Sequence, residues 1–133
     1  MRYSLFLVLI LVTSNLFGQE KSDSTNTEER VFKPAVKAEF PGGEKELYKF
    51  IATNIKYPAE ARRSGISGKV IVSFIVESDG SVNLSSVKIE QSVHSSLDNE
   101  VIRLVGLMPN WTPGNQRGKN LRSRAEFPVT FKI

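Results

Sequence analysis

Gly68-Lys69-Val70-Ile71-Val72-Ser73-Phe74-Ile75-Val76-Glu77, followed by Ser78-Asp79-Gly80-Ser81, is the stretch that decides the fold of this 133-residue chain. Apolar residues alternate at Val70, Val72, Phe74 and Val76, the period of a strand with one buried face. The other face mixes Lys69, Ser73 and Glu77 with Ile71 and Ile75, so it is only half polar. Asp-Gly between two apolar runs signals a hairpin, because the tight turns that join antiparallel strands need positive φ. The returning strand carries Val82 and Leu84, then Val87 and Ile89, and this change of phase predicts a bulge.

Helical text lies on both sides of the hairpin. After the break at Pro41-Gly42-Gly43, Leu47, Phe50, Ile51 and Ile55 form one apolar stripe, with Glu44 and Glu46 in the favourable first turn. Pro58 begins a second, short helical turn that Gly65 should stop. Downstream, Ser95-Ser96-Leu97-Asp98 reads as a capping box with Ser95 as the cap. Leu97, Val101, Leu104, Val105 and Met108 make the apolar face of the helix that follows, and Pro109 ends it. Beyond Trp111 and a Pro113-Gly114 turn comes a loop rich in charge and Gly. A last strand then runs from Leu121 to Ile133, with odd-numbered residues facing the core and Arg122, Arg124, Glu126, Pro128, Thr130 and Lys132 facing out. Pro128 cannot donate a ladder hydrogen bond, which marks an edge strand. The expected fold is α+β, a three-stranded antiparallel sheet with two helices packed on one face.

The N-terminal text reads differently. Arg2 precedes the apolar run Leu5 to Val12, and Gly18-Gln19 is a plausible cleavage point, so residues 1–18 read as a signal peptide. A spanning helix would need about 20 predominantly apolar residues. The expected location is therefore periplasmic, with an inner-membrane anchor facing the periplasm as the alternative. Residues 19–30 contain no apolar side chain and read as a disordered polar linker, about 40 Å long if fully extended. Val31 to Ala38 is a short extended edge segment, and residues 31–133 are the folded domain. With no Cys in the chain, there is neither a disulfide nor an acylation site, and stability must come from the core. The net charge of +4 could favour an anionic surface, but an exported protein is a poor candidate for nucleic acid.

Little in the sequence points to catalysis. His94, the one histidine, stands in a loop with no nucleophile elbow to serve. A metal site would need further ligands. Glu44, Glu46, Asp79, Asp98 and Glu100 are explained by a helix first turn, a turn, a cap and a polar helix face. The chain is read as a non-enzyme without catalytic residues, metal or cofactor. Arg117, Lys119, Arg122 and Arg124 form the sharper basic group, read either as an edge-strand guard against aggregation or as a device for steering a partner.

Taken in order, Tyr57-Pro58-x-x-Ala61-Arg62, Gly65-Ile66-x-Gly68-x-Val70, Phe74-x-Val76-x-x-Asp79-Gly80-x-Val82, Leu97-Asp98, Trp111-x-Pro113-Gly114 and Phe127-x-Val129-x-Phe131-Lys132-Ile133 resemble the C-terminal domain of TonB, the periplasmic energy transducer of Gram-negative bacteria. The entry Phe40-Pro41-Gly42-Gly43-Glu44 resembles the Bacteroidetes branch. The resemblance covers nearly everything after residue 30. It implies a binding module that pairs an edge strand with the short TonB box of an outer-membrane transporter, in the transport of nutrients such as iron complexes. The implied receiving strand is Leu121 to Ile133, with Arg122, Arg124, Glu126, Pro128 and Thr130 on its outer face. Tyr57, with Asn54-Ile55-Lys56 where the best-known members carry a Gln-Pro pair touching the box, completes the implied contact. Energy-transmitting members also have an inner-membrane helix and a long Pro-rich linker, so inner-membrane motor proteins are partners here only if residues 5–17 remain as an anchor. The alternative is a soluble periplasmic adaptor of the same fold that binds another peptide, peptidoglycan or a partner subunit. A strand-swapped homodimer is a further use of an exposed edge.

An exported form of the protein should begin near Gln19 or Glu20 when a periplasmic extract is sequenced from its N-terminus. Full-length chain confined to the inner-membrane fraction would restore the anchored reading.

Overall fold

The computed structural model describes residues 31–133. The expected signal segment (1–18) and polar linker (19–30) lie outside the described residues. Eight elements follow one another: α1 (Glu44–Asn54), α2 (Ala59–Arg63), β1 (Gly68–Val76), β2 (Val82–Gln91), α3 (Ser95–Gly106), β3 (Gly114–Gln116), β4 (Lys119–Leu121) and β5 (Ser123–Phe131). The main sheet is three-stranded and antiparallel, with β1 between β2 and β5. β3 and β4 form a separate two-stranded hairpin.

β1 occupies the centre because its text suits no other place. Val70, Val72, Phe74 and Val76 are buried on one face, as the alternation predicts. On the other face Ser73 is also buried, and its hydroxyl donates to Glu90 at 2.6 Å. The phase change in β2 is a wide irregularity: Ser73 pairs with Lys88, but Ile75 pairs with Asn83. Ser86 repairs the gap, its Oγ accepting the Ile75 N–H at 2.8 Å and donating to the Asn83 carbonyl at 2.6 Å. β5 alternates cleanly, with Ser123, Ala125, Phe127, Val129 and Phe131 buried.

The helices cover one face of the sheet. Leu47 and Ile51 of α1, Ala61 of α2, and Leu97, Val101, Leu104 and Val105 of α3 enter the core, with Phe50, Ile55 and Met108 packed against it. Gly65 ends α2 at φ 68°, and the N–H groups of Gly65 and Ile66 return to the carbonyls of Arg62 and Ala61, a Schellman closure. The cap of α3 differs from expectation. His94 is the N-cap, and its Nδ1 accepts the Ser96 N–H at 3.1 Å. Asp98 instead accepts from the Ser92 hydroxyl at 2.5 Å. The imidazole wins because the chain is already extended at His94, one residue before Ser95.

The charged loop after Trp111 is also more ordered than its composition suggests. β3 and β4 turn through Arg117 and Gly118, both at positive φ, a geometry that matches a two-residue hairpin. Leu121 therefore belongs to this hairpin, and the last strand starts at Ser123. Residues 31–40 run extended, touching Ser123 through Phe32, Asn115 through Val36 and Thr112 through Glu39. Gly114 permits this approach: a Cβ there would meet Pro34 Cγ at 2.6 Å.

An aromatic cluster joins these parts. Trp111 stands edge-on to Phe40 at 5.7 Å and to Phe74 at 5.3 Å, and stacks on Phe127 at 6.3 Å. Each such pair adds about 0.5–1.5 kcal/mol beyond area burial. Gly80 holds the tryptophan backbone, its carbonyl accepting the Trp111 N–H at 2.7 Å. At φ 93° and with the Trp111 carbonyl where a Cβ would stand, Gly80 tolerates no other residue without strain. The indole N–H is buried with no acceptor among the described residues, so among those residues the ring contributes through packing.

Trp111→Ala should cost about 3–5 kcal/mol, most of a small domain's margin. Trp111→Phe should cost clearly less, since it keeps an aromatic ring and removes an unsatisfied donor. Thermal unfolding of the two variants checks this, and equal losses would show that the indole nitrogen matters.

Candidate functional site

The outer edge of β5 is the feature on which a site can be built. Ile75 sends its N–H towards β2, so Val70, Val72, Phe74 and Val76 direct theirs to β5, because backbone groups alternate sides along a strand. Their partners in register are Val129, Phe127, Ala125 and Ser123. The even-numbered residues of β5 therefore point N–H and C=O groups away from the sheet. Pro128 falls on this outward set, where its missing N–H removes nothing from the pairing with β1. The Phe32 N–H takes the Arg122 carbonyl at 3.1 Å. From Arg124 to Thr130, no described residue pairs with the edge.

A groove runs along that edge. Its first depression, about 490 Å³, lies between Arg124–Pro128 and a wall made by Lys37, Glu39, Phe40, Glu44, Leu47 and Tyr48, with Trp111 also lining it. The second, about 410 Å³, is lined by Tyr48, Ile51, Ala52, Ile55, Pro128, Val129 and Thr130. Tyr48 and Pro128 border both. An extended chain laid here would meet unpaired backbone on one side and helix α1 on the other.

The residues singled out in the sequence are divided by the structure. Arg124, Glu126, Pro128, Thr130 and Ile55 line the groove. Arg122 pairs with Glu77 at 2.8 Å. Arg124 pairs with Glu90 across the open sheet face, beside the Ser73 hydroxyl at 3.3 Å, and lies 3.8 Å from Glu126. Hydrogen bonding from Ser73, with the Arg124 charge, holds the Glu90 carboxyl below its ordinary range. Both arginines thus meet carboxylates within the domain, which reduces what is left for steering a partner.

Asn54, Lys56 and Tyr57 act beside the groove rather than in it. The Tyr57 hydroxyl donates to the Ile66 carbonyl, its ring stands edge-on to Phe131 at 5.6 Å, and the Arg62 guanidinium lies 5.3 Å from the ring centre. The Asn54 carbonyl accepts from Arg103 at 2.9 Å, and the Lys56 N–H donates to Glu100 Oε2 at 2.7 Å. Glu100 was expected on a solvated helix face, but it is buried, with Arg103 gripping both carboxylate oxygens at 2.8 and 2.7 Å. Its helical phase lies next to the apolar stripe, and the α1–α2 connection closes over it. Burial alone would raise its carboxyl, but Arg103 and the Lys56 N–H outweigh that and hold it below the usual glutamate range.

Sequence reasoning missed the opposite wall of the groove. Lys37 and Ala38 fall in the expected edge segment and Leu47 and Ile51 in the core stripe, while Glu39, Tyr48 and Ala52 carry no expected role. Tyr48, an exposed aromatic beside that stripe, was the available signal. Among the described residues, no group of three or more His, Asp or Glu side chains could hold a metal ion, and no helix is long and apolar enough to cross a membrane.

Residues 53–133 match the family model for the Gram-negative bacterial TonB protein C-terminal. The solution structure of the Helicobacter pylori TonB C-terminal domain shares 22% identity over 65% of this chain and 76% of that one, with a TM-score of 0.51. That of Pseudomonas aeruginosa TonB shares 30% identity over 59% of this chain and 78% of that one, with a TM-score of 0.47. The Helicobacter likeness bears on the fold alone. No curated protein matches the chain.

Because Glu100 is held below its unfolded value, its contribution is present at neutral pH and is lost as pH falls through its folded value. Glu100→Gln should cost about 1–3 kcal/mol at pH 7, the penalty of poorly satisfied buried groups. The difference from wild type should shrink in acid. Urea melts from pH 7 down to pH 3 check this, and a gap independent of pH would remove Glu100 as the cause.

Proposed function

The chain belongs to the family of Gram-negative TonB C-terminal domains, and from that premise we propose that it docks outer-membrane transporters by accepting their box peptide as a strand added to β5. Members of this family are periplasmic, non-catalytic interaction modules that serve transport across the outer membrane. The observation that carries the reading is the edge from Arg124 to Thr130, which no described residue pairs with, beside a groove whose far wall includes α1.

Strand addition draws affinity from main-chain hydrogen bonds and selectivity from alternate side chains. The outward row of β5 supplies N–H groups at Arg124, Glu126 and Thr130, and carbonyls at all four even positions from 124 to 130. A box peptide would extend the sheet to four strands. It would also cover Ala125, Phe127 and Val129, which face the groove. The cargo served, including iron complexes, would be set by the transporter and not by this domain.

Glu126→Pro isolates the backbone contribution. Glu126 makes only a distant contact with Arg124, whereas proline at Arg124 would also break the pair with Glu90. The change removes one outward N–H and places a ring against an incoming strand, while an edge strand tolerates the proline. Fluorescence anisotropy with labelled box peptides from transporters should show binding reduced at least about tenfold, with thermal stability close to wild type. Equal binding by both proteins would place the ligand elsewhere and leave the adaptor reading standing.

A further inference from the structure

The family match begins at residue 53, yet Tyr48, Ile51 and Ala52 of the groove wall precede it. Resting on the strand-addition reading, we propose that this N-terminal wall makes the groove selective for an extended peptide that sends one large aliphatic side chain into the depression between α1 and β5.

The lining carries the argument. Around the second depression stand Ile51, Ala52, Ile55, Pro128 and Val129, with only Tyr48 and Thr130 bringing polar side-chain atoms and no charged side chain. Burying a charged or strongly polar group there would find few partners and would be costly. The first depression has a different character, with Lys37, Glu39, Glu44, Arg124 and Glu126 at its rim. Side chains of an added strand point to one face at every second residue, about 6.8 Å apart. The two depressions adjoin at Pro128 and Tyr48, so one helix-facing side chain enters the apolar depression and the next one or two fall in the charged one. Selection thus rests on a single position of the peptide.

Ala52 makes this testable. It is exposed on α1 and lines the depression, so Ala52→Phe fills the space from the helix side without touching the β5 backbone. Tyr48→Ala opens the same wall and serves as a second variant. The probe is a labelled box peptide in which each residue in turn is Leu or Ala, measured by anisotropy. Wild type should show one position where Leu binds about tenfold or more tighter than Ala, the order expected for the buried carbons that separate them. Ala52→Phe should bring the two peptides within about twofold at that position, and Tyr48→Ala should weaken the Leu peptide selectively. A Leu preference that survives Ala52→Phe, or the absence of any preferred position, overturns the proposal. Glu126→Pro separates this failure from that of strand addition, because it should weaken Leu and Ala peptides alike.

Discussion

The constraint on which the rest depends is that β1 is hydrogen-bonded on both sides and buried on one face. Val70, Val72, Phe74 and Val76 cannot be exposed, so β2 and β5 must flank them and the helices must cap them. A three-stranded sheet built this way has two edges, and they are unequal. β2 is interrupted by the irregularity around Leu84–Val87, which disturbs any ladder on its outer side. β5 pairs with β1 without a register shift from Ser123 to Phe131, so its outer row is regular. A straight row of unpaired groups is a template for another strand, and among the described residues the outer edge of β5 is such a row.

Charged residues along an edge are one way of keeping it from pairing indiscriminately. Arg124, Glu126 and Lys132 stand along the edge, and Pro128 withholds a donor in its middle. Arg124 spends its charge on Glu90, and Arg122 on Glu77. Surface pairs of this kind contribute little to stability. Their effect is to hold the two arginine side chains against carboxylates of the domain itself.

Much of the fold was legible because its elements obey simple periods. The alternation of β1 and β5, the stripes of α1 and α3, and the Asp79-Gly80 and Gly65 turns each depend on residues close together in the chain. What escaped depended on backbone geometry that composition does not show, or on contacts distant in sequence. His94 displaced Ser95 as the cap through local backbone geometry. Glu100 was drawn inside by Arg103 and by the Lys56 N–H, 44 residues away. The β3–β4 hairpin was hidden because Arg117 adopts a positive φ that composition does not advertise. One wall of the candidate site was legible from Pro128 and the even-numbered residues. The other needs residues 37–52 folded against β5, which no periodicity announces.

Pro128 links the edge to the groove. On the outward row it leaves a partner strand without one main-chain bond, so strand pairing is weakest at that point. Pro128 lines both depressions, as does Tyr48. A peptide bound along β5 must recover from side-chain burial what it loses in backbone bonding near Pro128. Main-chain pairing alone would accept any extended sequence. For a strand added to β5, the proline would shift part of the binding energy onto the α1 wall, and that shift would let the edge discriminate between peptides.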